Sequence, residues 1–351
     1  GYAIIAGLEQ IINYIKNLSF DEEDINYLRK QNKFSEEFLN YLENFRFTGD
    51  VWAIPEGTVV FPNEPLITVR APIIQAQLLE TMLLLTTNHQ SLIATKTSRI
   101  VKEAQGRPVM EFGARRAHGI NAAVEGARAA IIGGAIGTSC TLSAKEFNVP
   151  ASGTMAHSWV QSFDSEYEAF KTYAEIYPDD CTLLIDTYNT IESGLPNAIK
   201  VFNEVLKPKG YKPKAVRLDS GDLAYLSKKV RKILDEAGYT ECKICATNSL
   251  DEYLIKSLIE QDAKIDSFGV GENLITAKSE PVFGGVYKLV GIEKDTKIIP
   301  KIKVSENVVK VTNPGFKKVY RFYDNESQKA IADVIALSLI HISEPTRLAL
   351  I

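Results

Sequence analysis

Five short segments of the chain hold residue types that can handle phosphates and carboxylates. In GTMAH at 153–157, a short strand at 150–153 gives way to Thr154, and His157 stands three residues further on, at the start of a helical stretch. A histidine there offers a ring nitrogen beside helix N–H groups, which suits an anionic ligand or a transient phosphoryl group, and equally serves as a structural side chain. In EFGARR at 111–116, Arg115 and Arg116 come directly after a strand. Paired guanidiniums make bidentate contacts with phosphate or carboxylate, or simple ion pairs with Glu111 or Glu125. RLDSGD at 217–222 puts a cation and two carboxylates across one strand end. Arg217 can hold phosphate or pyrophosphate there, and Asp219 or Asp222 can take ribose hydroxyls or water on a bound Mg²⁺; Asp222 by itself reads as the cap of a turn facing solvent. Finally, FGVGE at 268–272 and FGGVY at 283–287 are glycine turns after strands. The backbone amides of Gly269, Gly271, Gly284 and Gly285 could cradle a monophosphate, because glycine lets the chain approach closely. Neither GxxxxGK[ST] nor GxGxxG is present, which excludes a P-loop and a dinucleotide fingerprint.

The elements that must position these residues follow from periodicity. Residues 7–45 carry helical apolar spacing with acidic or serine starts, SFDEE at 19–23 and Ser35 among them. From Phe47 the pattern changes to short β-like runs at 51–54, 58–61 and 66–69, split by proline and glycine turns. A long helix over 74–104 is apolar on nearly every face, as expected of a helix buried between domains. Beyond 105 the reading is α/β: apolar runs at 109–113, 135–139, 183–187, 216–222, 244–248 and 268–272 each end in polar or glycine residues, with helices between them, as at 223–237 and 250–261. A parallel α/β barrel reads this way, and its chemistry lies at the C-terminal ends of the strands. The predicted division is an N-terminal α+β domain at 1–104, a barrel domain at 105–290 and a Lys-rich β segment at 291–336.

Composition removes other classes. Lys and Arg total 40 against 44 Asp and Glu in 351 residues, which argues against a general nucleic-acid-binding or polybasic membrane role. Apolar stretches such as 129–136 fall well short of the roughly 20 residues that span a bilayer, and no signal-peptide pattern opens the chain. Four cysteines fit a reducing cytosol; Cys242 and Cys245 form a C-x-x-C inside a strand pattern, with no second ligand pair nearby. The chain begins GYAIIAG, without a polar lead-in, as though already within structure. At the other end, LSLIHISEPTR at 337–347 reads as the conceptual translation of a library-adapter sequence, so residues 337–351 are expected to be foreign. His341 then drops out and leaves His89, His118 and His157.

Taken in order, EFGARR, GTS at 137–139, GTMAH, RLDSGD, GVGE with GGVYKL at 284–289, and then KVSEN at 303–307 and TNPGFK at 312–317 resemble the nicotinate phosphoribosyltransferase family over nearly all of residues 1–336. The resemblance implies an irregular parallel α/β barrel packed on a split α+β domain, in a cytoplasmic homodimer whose active sites form between subunits. It implies that nicotinate and 5-phosphoribosyl 1-diphosphate become nicotinate mononucleotide and diphosphate, the first committed step of NAD salvage from nicotinate. It also implies that ATP hydrolysis is coupled through a phosphohistidine, which matches His157. Thr154 matches a nicotinate-binding threonine, Arg217 a ligand-binding arginine that acts with Asp219, and Phe112 the aromatic that stacks on the pyridine ring. Arg115 matches a basic residue beside the substrate anions, and Lys303 a lid or diphosphate residue. Ser139 stands where nicotinamide-using relatives place an aspartate, so it is expected to favour a carboxylate over a carboxamide. Mg²⁺ is expected on 5-phosphoribosyl 1-diphosphate and ATP, without direct protein ligands. Two departures stand out: a family segment with a second stacking tyrosine would precede Gly1, and Glu272 follows the G-x-G turn where a carboxylate would repel phosphate. The first departure and the foreign tail lead to the expectation that the chain as written is not a competent enzyme. Relatives that take nicotinamide or quinolinate, and a barrel that binds without turnover, are the alternative readings.

Overall fold

The computed structural model describes residues 1–304, 306, 311, 313–337 and 349–350. Two compact units result, Gly1–Ser91 with Val282–Ile351, and Leu92–Pro281. The sequence division lay at 104/105 and 290/291. The observed first boundary falls inside a continuous helix, where no turn residue marks it.

The first unit is α+β. It begins with β1 (Ala3–Ile4), α1 (Leu8–Asn17), α2 (Glu22–Lys30) and α3 (Glu36–Glu43), followed by β2 (Asp50–Ala53), β3 (Val59–Val60) and β4 (Ile67–Arg70). The acidic and serine starts do what their chemistry suggests. Asp21 and Asp24 form a reciprocal capping box on α2, and the Ser35 hydroxyl accepts from the Phe38 N–H at 3.2 Å to start α3. Antiparallel pairs β1–β3 and β2–β4 frame a cluster of Ile5, Ile54 and Val60. The helices close over Ile25, Leu39 and Leu42, and burying each such side chain contributes about 1.5–3 kcal/mol. The long helix α4 (Ile73–Glu103) starts in this unit and ends in the next.

Within the second unit, parallel strands alternate with helices: β5 (Val109–Glu111), α5 (Ile120–Ile132), α6 (Thr141–Phe147), α7 (His157–Gln161), α8 (Glu166–Ile176), β6 (Thr182–Leu184), α9 (Leu195–Val201), β7 (Ala215–Leu218), α10 (Leu223–Glu236), β8 (Lys243–Ala246), α11 (Glu252–Glu260), β9 (Ser267–Val270) and α12 (Glu272–Ile275). The sheet order is β5-β9-β8-β7-β6, and single parallel bridges add Thr138 and then Ala151 beyond β5. Chain order therefore runs round the sheet, with the last strand beside the first, as in an irregular barrel. Among the described residues only the step from Ala151 to β6 has neither a ladder nor a bridge. The core is made by residues such as Leu183, Val216, Ile244, Phe268 and Val270, none more than 1% exposed. A buried Lys96–Glu252 pair at 2.7 Å ties the end of α4 to α11.

The chain returns to the first unit for β10 (Gly291–Lys294), β11 (Lys297–Pro300), β12 (Lys317–Tyr323) and β13 (Ala330–Leu337), with β14 (Ala349–Leu350) paired beside β12. Of the adapter-like string only Leu337 is described; residues 338–347 lie outside the described residues, as do Ser305 and Asn307 of KVSEN and Thr312 of TNPGFK.

Candidate active site

Two strand ends of the second unit deliver one charged cluster, and hydroxyls from the ends of β6 and β8 complete it. Arg217 lies in β7 and Asp219 follows one residue past its end; Thr154 follows the Ala151 bridge, and His157 opens α7. The Arg217 guanidinium donates through Nη2 to Asp219 Oδ1 at 2.9 Å, through Nη1 to the Thr154 hydroxyl at 2.7 Å and the Met155 carbonyl at 3.3 Å, and through Nε to the Thr247 hydroxyl at 2.9 Å. Of the five N–H bonds a guanidinium carries, one on Nη2 has no acceptor among the described residues. Asp219 Oδ1 also accepts from the Thr247 hydroxyl, and Oδ2 faces His157 Nε2 at 3.4 Å. His157 Nδ1 faces the Thr187 hydroxyl at 3.0 Å. Burial alone would raise the Asp219 pKa, but the Thr247 hydroxyl, the Arg217 charge and His157 outweigh it and hold the carboxyl below the ordinary range. Asp186, just past β6, steadies the turn by accepting from the Asp219 N–H at 2.9 Å and the Ser220 hydroxyl at 2.6 Å.

A second constellation sits at the end of β5. Glu111 is wholly buried, and its carboxylate accepts from the Thr138 hydroxyl at 2.6 Å and from the Gly113 N–H, while its carbonyl accepts from the Ser139 N–H at 2.9 Å. Burial raises its pKa against those two neutral donors. The Thr138 hydroxyl also accepts from the Cys140 N–H at 2.9 Å, so Thr138 and not Ser139 secures the turn. Ser139 is exposed, and its hydroxyl has no partner among the described residues. Phe112 is seated over Gly269: a Cβ there would come within 2.5 Å of the ring and 2.7 Å of the Thr247 methyl. Gly113 is required as well, since a Cβ would meet the Gly271 carbonyl and Ile275 at 2.6 Å.

The other expected residues fall as follows. Gly269 is buried within β9, and its missing side chain makes room for the aromatic ring, a packing role that the G-x-G pattern does not reveal. Gly271 precedes α12. Gly284 and Gly285 are exposed and belong, like the exposed Lys303, to the first unit, so the structure does not gather the four glycines into one compact unit. Arg115 is exposed on the turn Ala114–Arg116, with no partner among the described residues. Arg116 lies 3.8 Å from the Glu272 carboxylate, so the Glu272 charge has a cation beside it, while Glu111 is buried and turned to Thr138. Asp222 caps α10 by accepting from the Tyr225 N–H at 3.0 Å. Cys242 and Cys245 are free and buried; burial pushes the Cys242 thiol up to about 12 and raises that of Cys245, which leaves both protonated and unreactive. No helix among the described residues is long and apolar enough to cross a membrane. The sequence reading missed Thr187, Asp186, Thr247 and Thr138 as functional residues, although each stands at a strand end.

A histidine, an arginine and a carboxylate held below its ordinary pKa range converge at the strand ends of a parallel α/β unit, a combination of groups suited to anionic ligands. Comparison with known proteins narrows the class. Residues 1–88 match the nicotinate phosphoribosyltransferase N-terminal domain, and residues 108–326 match the nicotinate phosphoribosyltransferase family. The nicotinate phosphoribosyltransferase of Bacillus subtilis is 49% identical over 348 residues, covering 99% of this chain and 70% of that protein. The pncB2 nicotinate phosphoribosyltransferase of Mycobacterium tuberculosis is 47% identical over 322 residues, covering 91% of this chain and 67% of its own length. In structure, human nicotinic acid phosphoribosyltransferase superposes with a TM-score of 0.82 at 26% identity, over 99% of this chain and 75% of that one. The chain belongs to the nicotinate phosphoribosyltransferase family.

Proposed function

We propose that the full-length enzyme joins nicotinate to 5-phosphoribosyl 1-diphosphate, with ATP hydrolysis coupled through a phosphohistidine at His157. The observation that carries this reading is the convergence of His157 and Arg217 on Asp219, with Thr154 on the same guanidinium. The pyridine nitrogen forms a bond to C1′ as the C1′–oxygen bond breaks, and that electron pair leaves with diphosphate. C1′ passes through an oxocarbenium-like state, so the protein chiefly positions the reactants and neutralises charge. Phe112 stacks on the ring, the free Ser139 hydroxyl donates to the nicotinate carboxylate, and Arg115 and the remaining Arg217 N–H meet substrate anions. With Nε2–H donating to the ionised Asp219, His157 keeps its lone pair on Nδ1, where Thr187 must turn aside for attack on the γ-phosphorus of ATP. ADP leaves, and water later returns the imidazole and phosphate. Mg²⁺ enters on the phosphates as part of both substrates. Gly271 closes the ribose-phosphate end in this reading. The working form is a cytoplasmic homodimer serving NAD salvage.

Product analysis tests the reading. Nicotinate, nicotinamide and quinolinate are offered side by side with 5-phosphoribosyl 1-diphosphate, with and without ATP. Nicotinate mononucleotide is the expected product, formed faster with ATP. Preferential use of either other base, or binding without any product, contradicts it.

A further inference from the structure

Thr247, the first residue past β8, is buried, and both arms of its side chain are in use. Its hydroxyl accepts from Arg217 Nε at 2.9 Å and donates to Asp219 Oδ1, so it bridges the cation and the carboxylate. Its methyl lies 2.7 Å from where a Gly269 Cβ would be, the same space that the Phe112 ring approaches to 2.5 Å. One small side chain thus touches the charged cluster and the aromatic seat, which otherwise hang from different strands. We propose that Thr247 is a positioning residue that sets both halves of the site in register: the hydroxyl fixes the Arg217 guanidinium against Asp219, and the methyl supports the floor under Phe112. The consequence for turnover rests on the nicotinate-transfer reading; the consequence for Arg217 does not.

Two near-isosteric variants separate the arms, both made in the full chain. Thr247→Val keeps the methyl and loses the hydroxyl; Thr247→Ser does the reverse. Losing a hydrogen bond to a charged group should lower kcat of the Val variant roughly tenfold to hundredfold, with KM for nicotinate within about twofold. Losing the methyl should raise that KM about threefold to fivefold in the Ser variant and leave kcat nearly unchanged. Independently of turnover, the Arg217 Nε–H resonance, assigned by its loss in Arg217→Lys, should exchange slowly with water in the wild type and the Ser variant and about tenfold faster in the Val variant. Unchanged exchange in Thr247→Val, or kcat and KM moving in parallel in both variants, overturns the proposal. If the wild type forms no nicotinate mononucleotide, the functional reading fails by itself, and Arg217 exchange still decides whether Thr247 holds the guanidinium.

Discussion

Asp219 and Glu111 are both withdrawn from water at strand ends of the same parallel sheet, yet their chemistry diverges. Asp219 meets a guanidinium, a hydroxyl and an imidazole, and its carboxyl is held below the ordinary range even though burial alone would raise it. Glu111 is buried more deeply and, among the described residues, its carboxylate meets the Thr138 hydroxyl and the Gly113 N–H; burial wins and its pKa rises. Neutral donors can satisfy the geometry of a carboxylate without repaying its desolvation, whereas a cation does both. The β7 end accordingly keeps a charged carboxylate beside the guanidinium. The β5 end is built to keep shape: Glu111 braces Thr138 and Gly113, and so steadies the backbone on either side of Phe112 and Ser139.

The largest effect should come from breaking the charged end. Asp219→Asn leaves Arg217 short of its anion and should lower kcat about a hundredfold or more, while Glu111→Gln stays within about fivefold in the same steady-state assay. Equal losses would erase the distinction. Next, Ser139→Asp puts a carboxylate where nicotinate would bring its own; kcat/KM for nicotinate should fall about tenfold further than for nicotinamide. A uniform fall would make Ser139 structural. Gly269→Ala should displace Phe112, raising KM for nicotinate about fivefold and lowering Tm by several degrees. The smallest effect is in stability against pH, read as Tm. Glu111 has a folded pKa above its unfolded value, so its contribution is complete below the unfolded range near about 4.3 and is lost as pH rises through the folded value. Relative to wild type, Glu111→Gln should therefore gain about one or two degrees between acid and neutral pH. Asp219 has the opposite sign: its contribution is present above about 3.9 and is lost as pH falls through the depressed folded value, so Asp219→Asn should compare worst near neutrality.

Much of this was legible in the residues. Thr154, His157, Arg217 and Asp219 were readable as strand-end groups, and the fold brings all four into one network. The apolar runs ending in ID at 185–186 and AT at 246–247 carried the signal for Asp186 and Thr247. An aspartate or threonine after a strand is so common, however, that only the tertiary fold shows which of them face a guanidinium. Glu111 stood in plain sight beside two arginines, and sequence proximity suggested an ion pair; the period of the strand instead points its side chain inward, toward Thr138. The Gly269 pattern was ambiguous in principle, because a missing side chain admits a ligand or a neighbouring ring equally well.

Phosphate transfer from γ-labelled ATP tests most directly the proposal that His157, held against Asp219 past β7, takes up the phosphoryl group. Wild type should acquire acid-labile, base-stable label, Glu111→Gln should acquire it as well, and His157→Ala should acquire none. Undiminished label in His157→Ala, or none in a wild-type chain that forms nicotinate mononucleotide faster with ATP, would contradict the account.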